Sequence, residues 1–139
     1  MKKTILIIGL FIIMSACTKN GTINISDPWV RQGKVNGNSA AYFTIINGAD
    51  QTDKLLSAAS SASENCELHF TQINAENKMM MMPQESVEVP SGETVEFKPG
   101  GYHVMMLNLK KDLQSGEKVK MTLQFEKAGK IEVEAIVKQ

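Results

Sequence analysis

About eight short apolar segments, each closed by a cluster of Gly, Pro, Asn or Ser, run along this chain and leave little room for anything but β-structure. Within them apolar and polar residues tend to alternate with period two, which puts one set of side chains on each face of a strand. Ile23 and Ile25 open the series ahead of Asp27-Pro28-Trp29-Val30-Arg31, and a Gly/Asn-rich turn follows over Gln32–Asn38. Ala40–Ile46 is β-branched and aromatic and is ended by Asn47-Gly48. Leu55–Ala58, Cys66–Phe70, Thr94–Phe97, Tyr102–Leu109, Val119–Phe125 and Ile131–Val137 read as further strands, with turns at Pro90–Glu93, Lys98–Gly101 and Ala128–Gly129. Trp29 and Tyr42 read as core aromatics. Lys110–Gln114 is the best helical stretch and it is short. Turn signals every 8–12 residues predict an all-β, single-domain antiparallel sandwich or barrel.

The first residues are of another kind. Met1-Lys2-Lys3 is cationic, Thr4–Met14 is apolar and uncharged, and Met14-Ser15-Ala16-Cys17 follows. Such a pattern is a secretory signal, too short for a spanning helix. The small-small-Cys ending resembles the lipobox of bacterial lipoproteins, with Met14 where Leu is usual. The resemblance implies a lipoprotein signal peptide over residues 1–16, acylation of Cys17, a polar tether over 17–22 and a domain over 23–139. The protein is therefore expected to be periplasmic or otherwise extracytoplasmic, anchored to a bacterial membrane by its acyl chains without crossing it. Loss of Lys2 and Lys3 leaves a slightly acidic domain with no basic run, which excludes the electrostatic footprint of a nucleic-acid binder. Cys66 would be the one remaining thiol, so an internal disulfide is excluded even in an oxidising compartment.

The chemistry is concentrated in one region. His69 and His103 are the only two histidines, and six of the nine methionines lie between or just beyond them: Met79-Met80-Met81-Met82 and Met105-Met106. Imidazole with thioether is a soft donor set that suits Cu(I) and not the oxygen-seeking Mg, Ca or Mn. On a strand His103 and Met105 share a face, with Val104 and Met106 on the other. If the Met run is extended, Met79 and Met81 share one face and Met80 and Met82 the opposite one, so that one pair can meet a metal while the other packs the core. A site of His69, Met81, His103 and Met105 draws on three segments that the end of a sandwich brings together. Thioethers need no deprotonation to bind a metal. Packing is the competing reading, because methionine is also a common gap filler. Cys66 stands three residues from His69, hence on the opposite face of a strand, and reads as a small buried hydrophobe.

Met81 and His103 enclose 21 residues, and His103-Val104-Met105 is a His-x-Met. With Trp29-Val30-Arg31, Ala41–Asn47, Asp53-Lys54-Leu55, Glu67-Leu68-His69, Val89-Pro90-Ser91-Gly92, Lys98–Met106 and Leu123-Gln124-Phe125 in the same order, the chain resembles the periplasmic copper chaperones of the PCuAC family. The likeness implies a cupredoxin-like Greek-key β-sandwich, Cu(I) as the bound ion, and His69, Met81, His103 and Met105 as its ligands. Two departures occur. His69 and Met81 enclose 11 residues where the family usually has 10, which places an extra residue in the Asn74–Lys78 turn. Phe70 follows His69 where some members carry Met, and Met79 is the candidate additional thioether.

The resemblance implies a metallochaperone that delivers copper to an apo copper protein, the dinuclear copper centre of cytochrome c oxidase being the implied recipient. Copper sequestration for metal tolerance would use the same ligands. A blue-copper electron-transfer protein would need a Cys beside His103 and Met105, and none is there. A metal-free scaffold lipoprotein would leave the methionines as packing. No nucleophile–base pair is in evidence, and the chain is not expected to be an enzyme.

Overall fold

The computed structural model describes residues 21–139, and the expected signal peptide, the expected acylation site Cys17 and most of the expected tether lie outside the described residues. Ten strands follow one another: β1 (Ile23–Arg31), β2 (Ser39–Asn47), β3 (Asp53–Ser60), β4 (Ser63–Ile73), β5 (Met79–Pro83), β6 (Val87–Val89), β7 (Thr94–Phe97), β8 (Tyr102–Leu109), β9 (Lys118–Phe125) and β10 (Lys130–Lys138). No helix occurs among the described residues, so the all-β expectation holds. Lys110–Gln114 is not helical. Five residues cannot offset the cost of nucleating a helix, and Leu113 instead bridges to Gly33 and is buried, while Asp112 accepts a hydrogen bond from Val35 N–H at 2.9 Å.

The strands form one hydrogen-bonded sheet in the order β5-β4-β8-β7-β2-β1-β10-β9-β3-β6, with β8 also pairing the start of β2. Strands β3 and β4 stand near opposite ends of that order but are joined by only Ser61 and Ala62, so the sheet must roll and bring its two halves together. The enclosed core confirms this. Ala41, Phe43, Ile45, Phe97, Val104 and Met106 from one half form a single cluster with Leu55, Met121, Leu123, Phe125 and Val137 from the other.

The sheet is mixed, which corrects the purely antiparallel expectation. Trp29, Val30 and Arg31 of β1 pair in parallel with Ile136, Val137 and Lys138 of β10, and β7 meets β8 in parallel at Phe97 and Tyr102. Period-two alternation specifies which face a residue occupies. It says nothing about the direction of a neighbouring strand, so sequence pattern alone could not reveal these pairs. Turn chemistry, by contrast, appears where it was expected. Gly92 and Gly100 adopt φ of +73° and +82°, a region that favours glycine.

Candidate metal centre

The turn Lys98–Gly101 delivers the chain into β8, its closure made by Gly101 N–H donating to the Lys98 carbonyl at 3.0 Å. From there the antiparallel ladder of β8 with β4 sets His103 directly opposite His69, Val104 opposite Leu68 and Met105 opposite Glu67. Opposed residues of an antiparallel pair share a face. On the outer side of β4, Asn74 makes an Asx turn whose side-chain oxygen accepts from Glu76 and Lys78 N–H at 3.0 and 2.9 Å. The resulting hairpin sets Met81 opposite Thr71 and Pro83 opposite His69. His69, Thr71, His103, Met105, Met79 and Met81 therefore share one face of the sheet. Val104, Met106, Leu68 and Cys66 occupy the other, which is the core face.

The two imidazole rings lie 5.7 Å apart, edge to face. With metal–imidazole bonds of about 2 Å, as for zinc, two ring centres on one ion lie at most roughly 6–6.5 Å apart, so the rings are within reach of a shared ion. Both are buried. Each is tethered through one nitrogen. His69 Nε2–H donates to the Glu67 carboxylate at 2.8 Å, and His103 Nδ1–H donates to the Gly101 carbonyl at 3.1 Å. That leaves His69 Nδ1 and His103 Nε2 buried without a hydrogen-bond partner. Orphaned buried polar atoms are rare and call for a cause, and a lone pair kept for a metal is one.

Beside His103 opens a cleft of about 240 Å³ that Tyr42, Thr71, Met79, Met81 and Met105 help to line. Among the described residues no three His, Cys, Asp or Glu side chains gather into a metal cage; the soft donors that line the cleft are the thioethers of Met79, Met81 and Met105. Burial holds His103 below the ordinary imidazole value of 6.5; the Gly101 hydrogen bond opposes this, and the charges of His69 and Arg31 add to it.

The other expected residues fall as follows. Met79 shares the cleft with Met81. Met80 and Met82 point to the opposite face, but they do not pack the core: they are 49% and 45% exposed, because β5 is an edge strand. Cys66 lies opposite Met106 on the core face, and burial pushes its thiol pKa up despite a contact with Ser63 Oγ at 3.3 Å. Tyr42 is buried, as the core reading expects, whereas Trp29 is only half-buried. Their rings lie tilted against each other, 4.4 Å between centroids, on the site face of β2 and β1, with Tyr42 6.3 Å from the His103 ring. Glu67 and the Gly101 carbonyl were not singled out in the sequence. Glu67 was accessible by parity, since a residue two before His69 on a strand must share its face.

A family model described as "Putative lipoprotein LpqE-like" matches residues 23–137. The "Putative lipoprotein Lxx21020" of Leifsonia xyli subsp. xyli is 31% identical over 103 residues, covering 74% of this chain and 61% of that protein, so the chain spans about six-tenths of that relative's length. Among solved structures, the copper-bound PCuAC domain from PmoF2 is 29% identical, with a TM-score of 0.70 over 85% of this chain and 93% of that one. The solution structure of CuI-DR1885 from Deinococcus radiodurans is also 29% identical, with a TM-score of 0.61 over 90% of this chain and 83% of its own. The chain accordingly belongs to the LpqE-like family and is a PCuAC-type domain.

Proposed function

We propose that this protein is an extracytoplasmic Cu(I) metallochaperone that carries the ion on His69, Met81, His103 and Met105, with Met79 as an additional thioether. The observation that carries this reading is the opposed pair of buried imidazoles, each with one tethered nitrogen and one unpartnered nitrogen, beside a cleft lined with thioethers. Neutral nitrogen and sulfur donors favour Cu(I) over Cu(II) and over hard divalent ions. Copper bound to two similar domains supports the same cargo here. Exposure of Met81 supports release, because an incoming thiolate or imidazole from a recipient can displace thioethers one at a time.

In this reading residues 23–139 form the copper domain, with a cupredoxin-like Greek-key arrangement. Cys17 is the acylated anchor on a bacterial membrane, residues 17–22 are the tether, and the domain acts as a carrier, without enzymatic turnover. The recipient is an apo copper protein, the copper centre of cytochrome c oxidase being our choice. The test is a Cu(I) competition titration of the Met81→Leu, Met105→Leu double variant. Severe weakening with an unchanged thermal transition is expected, and unaltered affinity would remove the site assignment. Incubation of the loaded protein with an apo oxidase subunit then tests the recipient, and copper that stays on the donor would contradict it.

A further inference from the structure

We infer that Glu67 is a positioning residue of the copper centre: its carboxylate holds the His69 ring so that Nδ1, not Nε2, is presented to Cu(I). The inference deepens the copper-carrier reading and rests on it. Glu67 lies two residues before His69 on β4 and opposite Met105 on β8, hence on the site face. Its Oε2 accepts the His69 Nε2–H at 2.8 Å. A neutral imidazole has one N–H and one lone pair, so fixing the N–H at Nε2 fixes the lone pair at Nδ1. Nδ1 is the atom left buried without a partner.

His103 is held the opposite way. Its anchor is a backbone carbonyl, Gly101, which takes the proton on Nδ1 and frees Nε2. The two histidines thus offer different nitrogens because one is tethered by a side chain and the other by the main chain. The Gly101 carbonyl also accepts from Thr71 N–H at 3.1 Å, which ties that anchor into the backbone of β4 and β8 and puts it beyond the reach of side-chain substitution. The Glu67 anchor is a removable side chain.

Charge points the same way. Two neutral imidazoles and two thioethers leave Cu(I) with its full positive charge beside a buried ring pair. A carboxylate one hydrogen bond from the ring offsets that charge. The Glu67 side chain is 45% exposed and that of His69 is 11% exposed, so the acid keeps its own hydration while reaching a buried ring. As a mere surface ion pair Glu67 would leave copper affinity untouched.

The test uses the full-length protein in detergent, labelled with nitrogen-15. Long-range proton–nitrogen spectra of the histidines, recorded before and after loading with Ag(I) as an oxidation-resistant d10 stand-in for Cu(I), identify the bound nitrogen of each ring. Competition against a chromophoric Cu(I) chelator gives the affinity. In the unaltered protein His69 is expected to bind through Nδ1 and His103 through Nε2. Glu67→Leu should lower Cu(I) affinity about 10- to 100-fold and release His69 to bind through either nitrogen, with no shift in the thermal transition. Glu67→Gln keeps an acceptor oxygen for the same N–H and should retain Nδ1 binding, with an affinity between those of the other two proteins. Binding of His69 through Nε2 in the unaltered protein, or a Glu67→Leu variant within twofold of it in affinity with its His69 tautomer unchanged, would overturn the inference and leave the carrier reading standing. Failure of the unaltered protein to take up either ion would sink both.

Discussion

Met105 and Met106 are neighbours in sequence with opposite duties, and truncating each separates the copper site from the core. Met106 is fully buried, on the face of β8 that packs with Val104 and Leu68. Met106→Ala empties that volume and should cost about 2–5 kcal/mol of stability. At roughly 3–5 °C per kcal/mol for a domain of this size, the thermal midpoint should fall by roughly 6–25 °C. Its Cu(I) affinity, measured well below that midpoint, should stay within about threefold, because no donor is lost. Met105 is half-buried beside the cleft. Met105→Ala removes little core and should cost about 1 kcal/mol of stability. Losing a thioether donor worth ~2 kcal/mol, however, raises the Cu(I) dissociation constant roughly 30-fold. The assay pairs thermal denaturation by circular dichroism with chelator competition on the same samples. Met106→Leu, which conserves volume and should cost less than about 1.5 kcal/mol, serves as the control if Met106→Ala unfolds. Equal loss of copper affinity at the two positions, or a larger loss of stability at Met105, would refute the assignment of faces.

His103 is held below its ordinary value by burial, so the neutral ring with Nε2 free should be the majority form at pH 6.5; an NMR titration of the apo protein should place its midpoint below 6.5, and a midpoint above it would contradict the burial argument. Asp53 is buried, and burial alone would raise its pKa, but backbone N–H groups of Lys127, Ala128 and Lys54 at 2.7–2.9 Å lower it on balance. A depressed folded value means that its contribution is present above the unfolded value near pH ~3.9 and is lost as pH falls through the folded one. Asp53→Asn should therefore cost about 1–3 kcal/mol at neutral pH and flatten the acid limb of the stability curve, as followed by urea denaturation between pH 2 and 7; a variant with an unchanged acid limb would count against this role.

Strand positions were legible because alternation and turn residues report them locally. The alternation of Tyr102–Leu109 gives that strand the boundaries it has, and the Pro90–Glu93 and Lys98–Gly101 turns stand where Gly92 and Gly100 need positive φ. Val87–Val89 is not legible in the sequence, because three residues are too few to show a period. The Met79–Pro83 strand was read only conditionally, since four identical side chains carry no alternation at all. What became of Met80 and Met82 depended on β5 being an edge, a property of the whole sheet and not of the segment. The metal candidates were readable because residue type and i, i+2 spacing carry both chemistry and face. That His69 faces His103 across a ladder, and that the buried Tyr42 ring sits beside them, depends on register between strands more than thirty residues apart.

The most direct measurement is X-ray absorption at the copper edge of the full-length protein loaded with one equivalent of Cu(I), which counts nitrogen against sulfur neighbours. The expected result is a monovalent ion with two nitrogen and two sulfur neighbours, or three sulfurs if Met79 joins, and with the sulfur count falling in the Met81→Leu, Met105→Leu protein. A first shell of nitrogen and oxygen alone, or a sulfur count indifferent to those substitutions, would contradict the proposal that His69, Met81, His103 and Met105 carry the ion.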